Sequence, residues 1–156
     1  MHCQHRKMVK PTNRIKSHHN KVLIFIDYKS AFNTIDREIL YDILHKKNIL
    51  KSEEIDFLKA LHSHIHYKCD GQIYYCKNGV PQGSPLSPVL FNIYFEDALS
   101  KIKIEYPNIK MYAYADDIAF LINYNQVFSF LDDLPKISQD YKLIINKKKK
   151  WNNDYS

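Results

Sequence analysis

The segment Gly79–Pro88 is the most conformationally restricted part of this 156-residue chain. It contains two of the three glycines and three of the six prolines in the whole sequence. Proline fixes the backbone angle φ, and glycine lets the backbone approach a ligand closely. A helix is predicted directly afterwards, from about Ser87 to Lys101, and proline is favoured in a first helical turn. The segment therefore predicts a tight loop that leads into a helix.

Strands and helices alternate before this loop. Lys21–Ile26 is a continuous apolar stretch, which predicts a buried strand with Asp27 at its end. One helix is predicted from its N-cap Asp36 to about Lys46, and a second helix begins at Ser52. A period of two then predicts a hairpin around Asp70-Gly71.

The same alternation continues after the loop. Tyr112–Ile122 predicts a second hairpin with Ala115-Asp116-Asp117 at its tip. An amphipathic helix over about Gln126–Tyr141 contains Pro135, which we expect to kink or split it. Leu143–Asn146 predicts a last strand. Strands that alternate with helices in this way predict one α+β unit.

The net charge of +6 is unevenly distributed. Residues 1–26 carry six basic side chains and no acidic one, residues 27–140 have a net charge of −4, and residues 141–156 have a net charge of +4. An acidic centre between two basic flanks differs from the even basicity of a protein that simply coats DNA.

Two features of the sequence indicate where in the cell the protein is located. The longest apolar run, Val22–Ile26, is too short for a membrane span, and no secretory signal pattern follows the basic N-terminus. Three cysteines cannot form a closed set of disulfides, which favours a reducing compartment. We therefore expect an intracellular protein of the nucleus or cytoplasm that is neither secreted nor inserted in a membrane.

Carboxylates stand at the ends of two predicted strands. Asp27 ends the first strand, and Asp116-Asp117 lies at a hairpin tip. Magnesium prefers such hard oxygen ligands, and paired ions bridged by carboxylates suit in-line attack at phosphorus. A pair of acids is weak support by itself, because Asp132-Asp133 lies in an amphipathic helix and is expected to face water.

Three segments, in this order along the chain, resemble the catalytic motifs of reverse transcriptases. They are Asp27-Tyr28-Lys29-Ser30-Ala31-Phe32, Gly79–Pro88 with Leu90-Phe91-Asn92-Ile93-Tyr94, and Tyr114-Ala115-Asp116-Asp117. Leu143-Ile144-Ile145-Asn146 with Lys149 is a looser match to the lysine-bearing motif that follows. The resemblance covers about residues 21–150. It is closest to non-LTR (LINE-like) retrotransposon enzymes, with group II intron enzymes next.

The resemblance implies the palm of a right-hand polymerase, with an antiparallel sheet packed on helices. Most of the fingers and thumb would be missing. Residues 1–20 would be a basic arm or a remnant of the fingers, residues 21–150 the palm domain, and residues 151–156 a truncated tail. Such a palm would need the missing segments or a partner subunit to hold nucleic acid.

The resemblance also implies site roles. Asp27 and Asp116 would bind two Mg²⁺ ions, or Mn²⁺, with help from the backbone carbonyl of Tyr28. Asp117 would complete the acidic cluster in a less direct role. Lys149 would protonate the leaving pyrophosphate, a role for which the neighbouring lysines compete.

Four further residues would contact the substrate. Gln82, with Gly83 beside it, would contact the incoming nucleotide or the template. Ala115 would lie against the primer terminus and the nucleotide sugar. Phe32 would stand where a ribose 2′-hydroxyl projects and would exclude ribonucleotides by clash and by leaving that hydroxyl unpaired, at a cost of ~1–3 kcal/mol. The alternative for Phe32 is a plain core side chain.

The implied activity is RNA-directed DNA polymerisation, with an RNA template, a DNA primer and dNTPs as partners. Two alternatives stay open, a truncated retroelement remnant that binds nucleic acid without catalysis and an RNA-templated RNA polymerase. Phe32 and Ala115 count against the second.

Histidines suggest two further hypotheses. His2, Cys3 and His5 are candidate zinc ligands together with His18 and His19, although their spacing does not match a common zinc motif, and the alternative is a plain His-rich arm. His62, His64 and His66 alternate as on one face of a strand, and we expect them to face solvent.

Overall fold

The computed structural model describes residues 20–114 and 117–146. Within these ranges, the strands are β1 (Lys21–Asp27), β2 (His66–Cys69), β3 (Gln72–Tyr75), β4 (Lys110–Tyr114) and β5 (Asp117–Asn123). The α-helices of the same ranges are α1 (Ala31–Thr34), α2 (Arg37–Lys46), α3 (Ser52–Ser63), α4 (Ser87–Glu105) and α5 (Val127–Asp140). A 3₁₀ turn, Tyr124–Gln126, joins β5 to α5.

The central sheet has three antiparallel strands in the order β1-β5-β4. Even-numbered residues of β5, such as Phe120, are buried, whereas the odd-numbered residues lie on the other face. Helices cover the buried face, since Phe120 packs against Phe130 of α5 and Tyr28 packs edge-on against Phe95 of α4. The predicted α+β architecture, an antiparallel sheet packed on helices, is confirmed.

Two local signals in the sequence are confirmed in detail. Asp36 caps α2, because its carboxylate accepts hydrogen bonds from the amides of Glu38 (3.0 Å) and Ile39 (3.3 Å). The turn between β2 and β3 has Asp70 at φ 50° and Gly71 at φ 78°, as a two-residue hairpin of the predicted kind requires.

Pro135 does not split α5, contrary to one of the two outcomes expected for it. The proline removes the N–H that would bond to the carbonyl of Leu131. Both residues lie on the exposed side of α5, where water can satisfy that carbonyl. The opposite side buries Phe130, Leu134 and Ile137, and this packing holds the helix together.

The prediction that Asp117 lies in the hairpin tip is wrong. Asp117 is the first residue of β5 and pairs with both Asp27 and Tyr114, so ladder pairing reaches it from two sides. Residues 115 and 116 lie outside the described residues. The Asp117 carboxylate therefore projects from a strand that is paired on both sides.

Leu143–Asn146 forms a single bridge in place of the predicted strand. Ile145 pairs with Tyr28, supported by bonds from the Lys29 amide to the Ile144 carbonyl (2.7 Å) and from the Asn146 amide to the Asp27 carbonyl (2.8 Å). This segment therefore borders the end of β1 on the side away from β5.

His62 does not face solvent as expected, although His64 and His66 are exposed. It lies in the last turn of α3, is 4% exposed, and its Nδ1 lies 2.7 Å from the hydroxyl of Tyr41. Within the described ranges, no helix is both long and apolar enough to cross a membrane.

Candidate active site

Asp27 and Asp117 are direct cross-strand partners at one end of the sheet. The Tyr124 amide bonds to the Asn20 carbonyl at 2.7 Å, so even-numbered residues of β1 bond across to β5. The Asp27–Asp117 pair is therefore of the non-hydrogen-bonded kind, in which side chains lie closest, with Cβ atoms about 4.5–5.5 Å apart. Both carboxylates stand on the face opposite the helices. Carboxylates on two directly opposed residues are groups whose charge a bound cation can neutralise.

Asn146 holds the Asp27 carboxylate in place. The side-chain Nδ2 of Asn146 donates to Asp27 Oδ2 at 3.0 Å. The backbone N–H of Asn146 donates to the backbone carbonyl of Asp27 at 2.8 Å. Sequence reasoning assigns no such role to Asn146. The available signal is its position at the end of the short apolar segment that borders β1.

The Tyr28 side chain is part of the core. It is 3% exposed, and its hydroxyl lies 3.0 Å from Ser138 Oγ. Burial raises the pKa of this hydroxyl above its ordinary value. A role for Tyr28 in the site is therefore confined to its backbone.

The backbone of Tyr28 faces the carboxylate edge. Because Asp27 and Lys29 bond to the segment 144–146, the carbonyl of Tyr28 points to the opposite side, where β5 begins. This carbonyl and the carboxylates of Asp27 and Asp117 are oxygen donors of the type that Mg²⁺ prefers.

The β3–α4 loop, residues 76–86, lies directly on α1. The Gly79 amide bonds to the Ile35 carbonyl (2.7 Å), and the Val80 amide bonds to the Phe32 carbonyl (3.0 Å). Gly79 has φ 78°, and a Cβ there would come within 2.8 Å of the Cα of Asn33. Glycine is therefore required at this contact for both its conformation and its size.

The exposed part of the loop carries Gln82 and Gly83. Gln82 Nε2 donates to Asn33 Oδ1 at 3.4 Å, which joins the loop to α1. Gly83 has φ 91°, and a Cβ added there would meet nothing within 4 Å beyond its chain neighbours, so this position is open to an approaching molecule. Ser87 Oγ donates to the Pro81 carbonyl at 2.5 Å and ties the loop to the start of α4.

Phe32 is half-buried and stacks on Phe91 of α4. The ring centroids are 4.2 Å apart and the planes differ by 11°. Phe91 is fully buried, so the Phe32 ring rests on a rigid surface. This arrangement serves a core role and a fixed steric wall equally well.

Several predicted site residues lie outside the described residues. They are Ala115, Asp116 and Lys149, together with the candidate zinc ligands His2, Cys3 and His5. Within the described part of the chain, no group of three or more His, Cys, Asp and Glu side chains forms a cluster that could hold a metal. Asp27 and Asp117 are the two carboxylates of the predicted cluster that the structure describes.

Comparison with known proteins gives matches at two levels. The family model described as reverse transcriptase (RNA-dependent DNA polymerase) matches residues 2–151. A stretch of 55 residues is 42% identical to the retrovirus-related Pol polyprotein from type-1 retrotransposable element R2 of Popillia japonica. It covers 30% of this chain and 9% of that protein.

Solved structures with a similar fold include two of apo telomerase from Candida tropicalis. One superposes with a TM-score of 0.63, and a second, truncated from its C-terminal domain, superposes with 0.61, each at 17% identity over 86% of this chain. This chain covers 28% and 30% of those two chains, so it spans less than a third of the length of these relatives.

The family match covers nearly the whole chain, and the fold agrees with it. The catalytic-motif segments identified in the sequence all fall inside the matched range. The similarity to the R2 element agrees with the expected retrotransposon subclass. The chain belongs to the reverse transcriptase (RNA-dependent DNA polymerase) family.

Proposed function

We propose that residues 21–150 form the catalytic palm of an RNA-directed DNA polymerase, which adds dNTPs to a primer 3′-hydroxyl and releases pyrophosphate. The cross-strand pair of Asp27 and Asp117 carries the proposal, since its two carboxylates share one face of the sheet. The β3–α4 loop with its exposed Gln82 is bonded to α1, which follows β1 directly in the chain. The family match supports the same reaction class.

Asp27, Asp116, Asp117 and the Tyr28 carbonyl would hold two Mg²⁺ ions, or Mn²⁺. When bound, such ions neutralise charge on phosphate oxygens and lower the pKa of a coordinated hydroxyl. The side chain of Asn146 would keep the Asp27 carboxylate oriented, since it donates to one of its two oxygens.

The substrate would lie over the same face. Gln82 and Gly83 would contact the nucleotide or the template, and Ala115 would lie against the primer end. Phe32, held flat on Phe91, would exclude a 2′-hydroxyl and select dNTPs. Lys149 would donate a proton to the leaving pyrophosphate.

The proposed partners are an RNA template and a DNA primer. Fingers and thumb segments, or a partner subunit, would complete the grip on them. Residues 1–20 would be a basic arm or a remnant of the fingers. The cysteine content favours a reducing compartment, so we place the protein in the nucleus or cytoplasm.

Primer extension on an RNA template tests this proposal. The assay compares dNTPs with NTPs, with and without Mg²⁺, using the chain alone and with fingers and thumb supplied from a full-length relative. We expect Mg²⁺-dependent incorporation of dNTPs that Asp116→Ala abolishes. Asp132→Ala is the matched control, because Asp132 is exposed on α5 in the other Asp-Asp pair.

Three results would overturn parts of the proposal. Equal extension by Asp116→Ala would remove the metal-site assignment. Preferential use of NTPs would favour an RNA-templated RNA polymerase. Nucleic-acid binding without extension, even with fingers and thumb supplied, would identify a non-catalytic remnant.

A further inference from the structure

Arg37 is a buried cation bonded to backbone carbonyls. It is the first residue of α2 and is 8% exposed. Nε donates to the Gly79 carbonyl (2.8 Å), Nη1 to the carbonyls of Cys76 (2.7 Å) and His62 (3.0 Å), and Nη2 to that of Asn78 (3.3 Å). All three side-chain nitrogens therefore have acceptors.

No carboxylate of the described residues forms an ion pair with Arg37. A buried charge without partners costs several kcal/mol, so carbonyl dipoles must stabilise this one. One of them, from His62, lies in the last turn of α3, where the helix dipole favours a cation. The other three belong to the first part of the β3–α4 loop.

Arg37 and α1 grip the loop from two directions. The amides of Gly79 and Val80 bond to carbonyls of α1 and the residue after it, whereas the carbonyls of Cys76, Asn78 and Gly79 bond to Arg37. Gly79 is thus held through both its amide and its carbonyl. Gln82 follows three residues later and is exposed.

We infer that Arg37 is a positioning residue that fixes the β3–α4 loop so that Gln82 is presented to substrate. The inference rests on the proposed function for the part concerning substrate. Arginine suits the task because its planar guanidinium carries five donors on three nitrogens, whereas lysine carries three donors on one nitrogen. Lysine can satisfy some of these carbonyls but cannot span all four.

Amide hydrogen exchange on the 156-residue chain tests whether Arg37 holds the β3–α4 loop in place. We expect Arg37→Met to speed exchange at Gly79 and Val80 by at least about tenfold relative to Ile118 and Phe120 of β5, because the loop then opens locally. Arg37→Lys should speed exchange at Gly79 and Val80 less than Arg37→Met does, relative to the same two β5 amides. The control is Leu134→Ala, a core variant of a different helix, α5, which should accelerate both sets of amides together.

Steady-state extension with the same variants tests the effect on substrate. Arg37→Met should raise the KM for dNTP by about tenfold with kcat changed by less than about threefold, since ground-state binding is lost. Arg37→Lys should recover part of that loss, and Leu134→Ala should not reproduce it.

Hydrogen exchange and steady-state kinetics distinguish failure of the structural role of Arg37 from failure of its role in substrate binding. Exchange at Gly79 and Val80 that rises only in step with β5 would overturn the grip, whether or not the chain polymerises. A loosened loop with unchanged KM would overturn the role in presenting Gln82. If the wild-type chain neither binds dNTP nor extends a primer, the proposed function fails, and the exchange ratio still decides whether Arg37 holds the loop.

Discussion

At the scale of single residues, the site combines groups that do not favour the folded state by themselves. Asp27 and Asp117 place two negative charges directly opposite each other, which destabilises a sheet. Gly79 adopts a positive φ against the backbone of Asn33. Such local costs are typical of sites that are held in shape for binding or catalysis.

Replacing one carboxylate should therefore stabilise the protein. In EDTA, we expect Asp117→Asn to raise the free energy of unfolding by a few tenths up to about 1 kcal/mol, because cross-strand repulsion is removed. Urea denaturation measures the change. Asp132→Asn, on the exposed side of α5, is the control and should change stability less. Destabilisation by Asp117→Asn that the control does not share would contradict the like-charge arrangement.

Two glycines with positive φ should respond very differently to alanine. Gly83→Ala should cost about 1–2 kcal/mol, the strain of a left-handed backbone, because a Cβ there meets open space. Gly79→Ala should cost more, since its Cβ would also meet backbone atoms of Asn33 and Phe32 at 2.8–2.9 Å. Urea denaturation of both variants compares the losses. Equal losses of unfolding free energy would show that the loop does not pack on α1 through Gly79.

Some of these residues can be found from sequence and others cannot. Asp27 is identifiable because it ends a continuous apolar strand. Arg37 carries no such signal, since its role depends on carbonyls that are 25 to 42 residues away in the chain. Asn146 likewise gains its role only when its segment meets β1.

At the scale of elements, the end of α3 contains a pH-sensitive contact. His62 is buried against Tyr41, and burial, with a smaller contribution from the charge of Arg37, lowers its pKa from 6.5 to about 4. The folded protein therefore favours the neutral imidazole. Between these two pKa values the unfolded chain binds more protons, so stability falls as the pH falls.

Because the pKa of His62 is lowered in the folded state, we expect the free energy of unfolding to fall by up to about 3 kcal/mol as the pH falls from 6.5 to about 4. Urea denaturation at several pH values measures the loss. His62→Gln should reduce the dependence over this range, whereas His45→Gln, at an exposed position of α2, should not. An unchanged dependence in His62→Gln would contradict the buried, neutral state of His62.

Element types are easier to predict than their pairing. The N-cap Asp36 and the turn Asp70-Gly71 act through neighbours in sequence, so local chemistry determines them. The register that sets Asp27 opposite Asp117 depends on contacts between distant strands, and a shift of one residue would reverse every side chain. The effect of Pro135 also depends on tertiary packing, because it is decided by which side of α5 is exposed.

At the scale of the whole molecule, the uneven charge distribution agrees with the proposed function. The acidic segment 27–140 contains the carboxylate pair, and the basic segments 1–26 and 141–156 carry positive side chains of the kind that contact phosphates. Bound divalent cations would reverse the local sign at the acidic edge. Whether that edge binds such a cation is therefore the central question.

Paramagnetic line broadening by Mn²⁺ in NMR spectra of the isotope-labelled chain tests this point directly. We predict that the amide signals of Asp27, Tyr28 and Asp117 broaden first, that excess Mg²⁺ reverses the effect, and that Asp27→Asn combined with Asp117→Asn abolishes it. The Asp132-Asp133 pair is the internal comparison. Broadening of those two signals at the same Mn²⁺ concentration, or unaffected signals at Asp27 and Asp117, would contradict a metal site at this edge of the sheet.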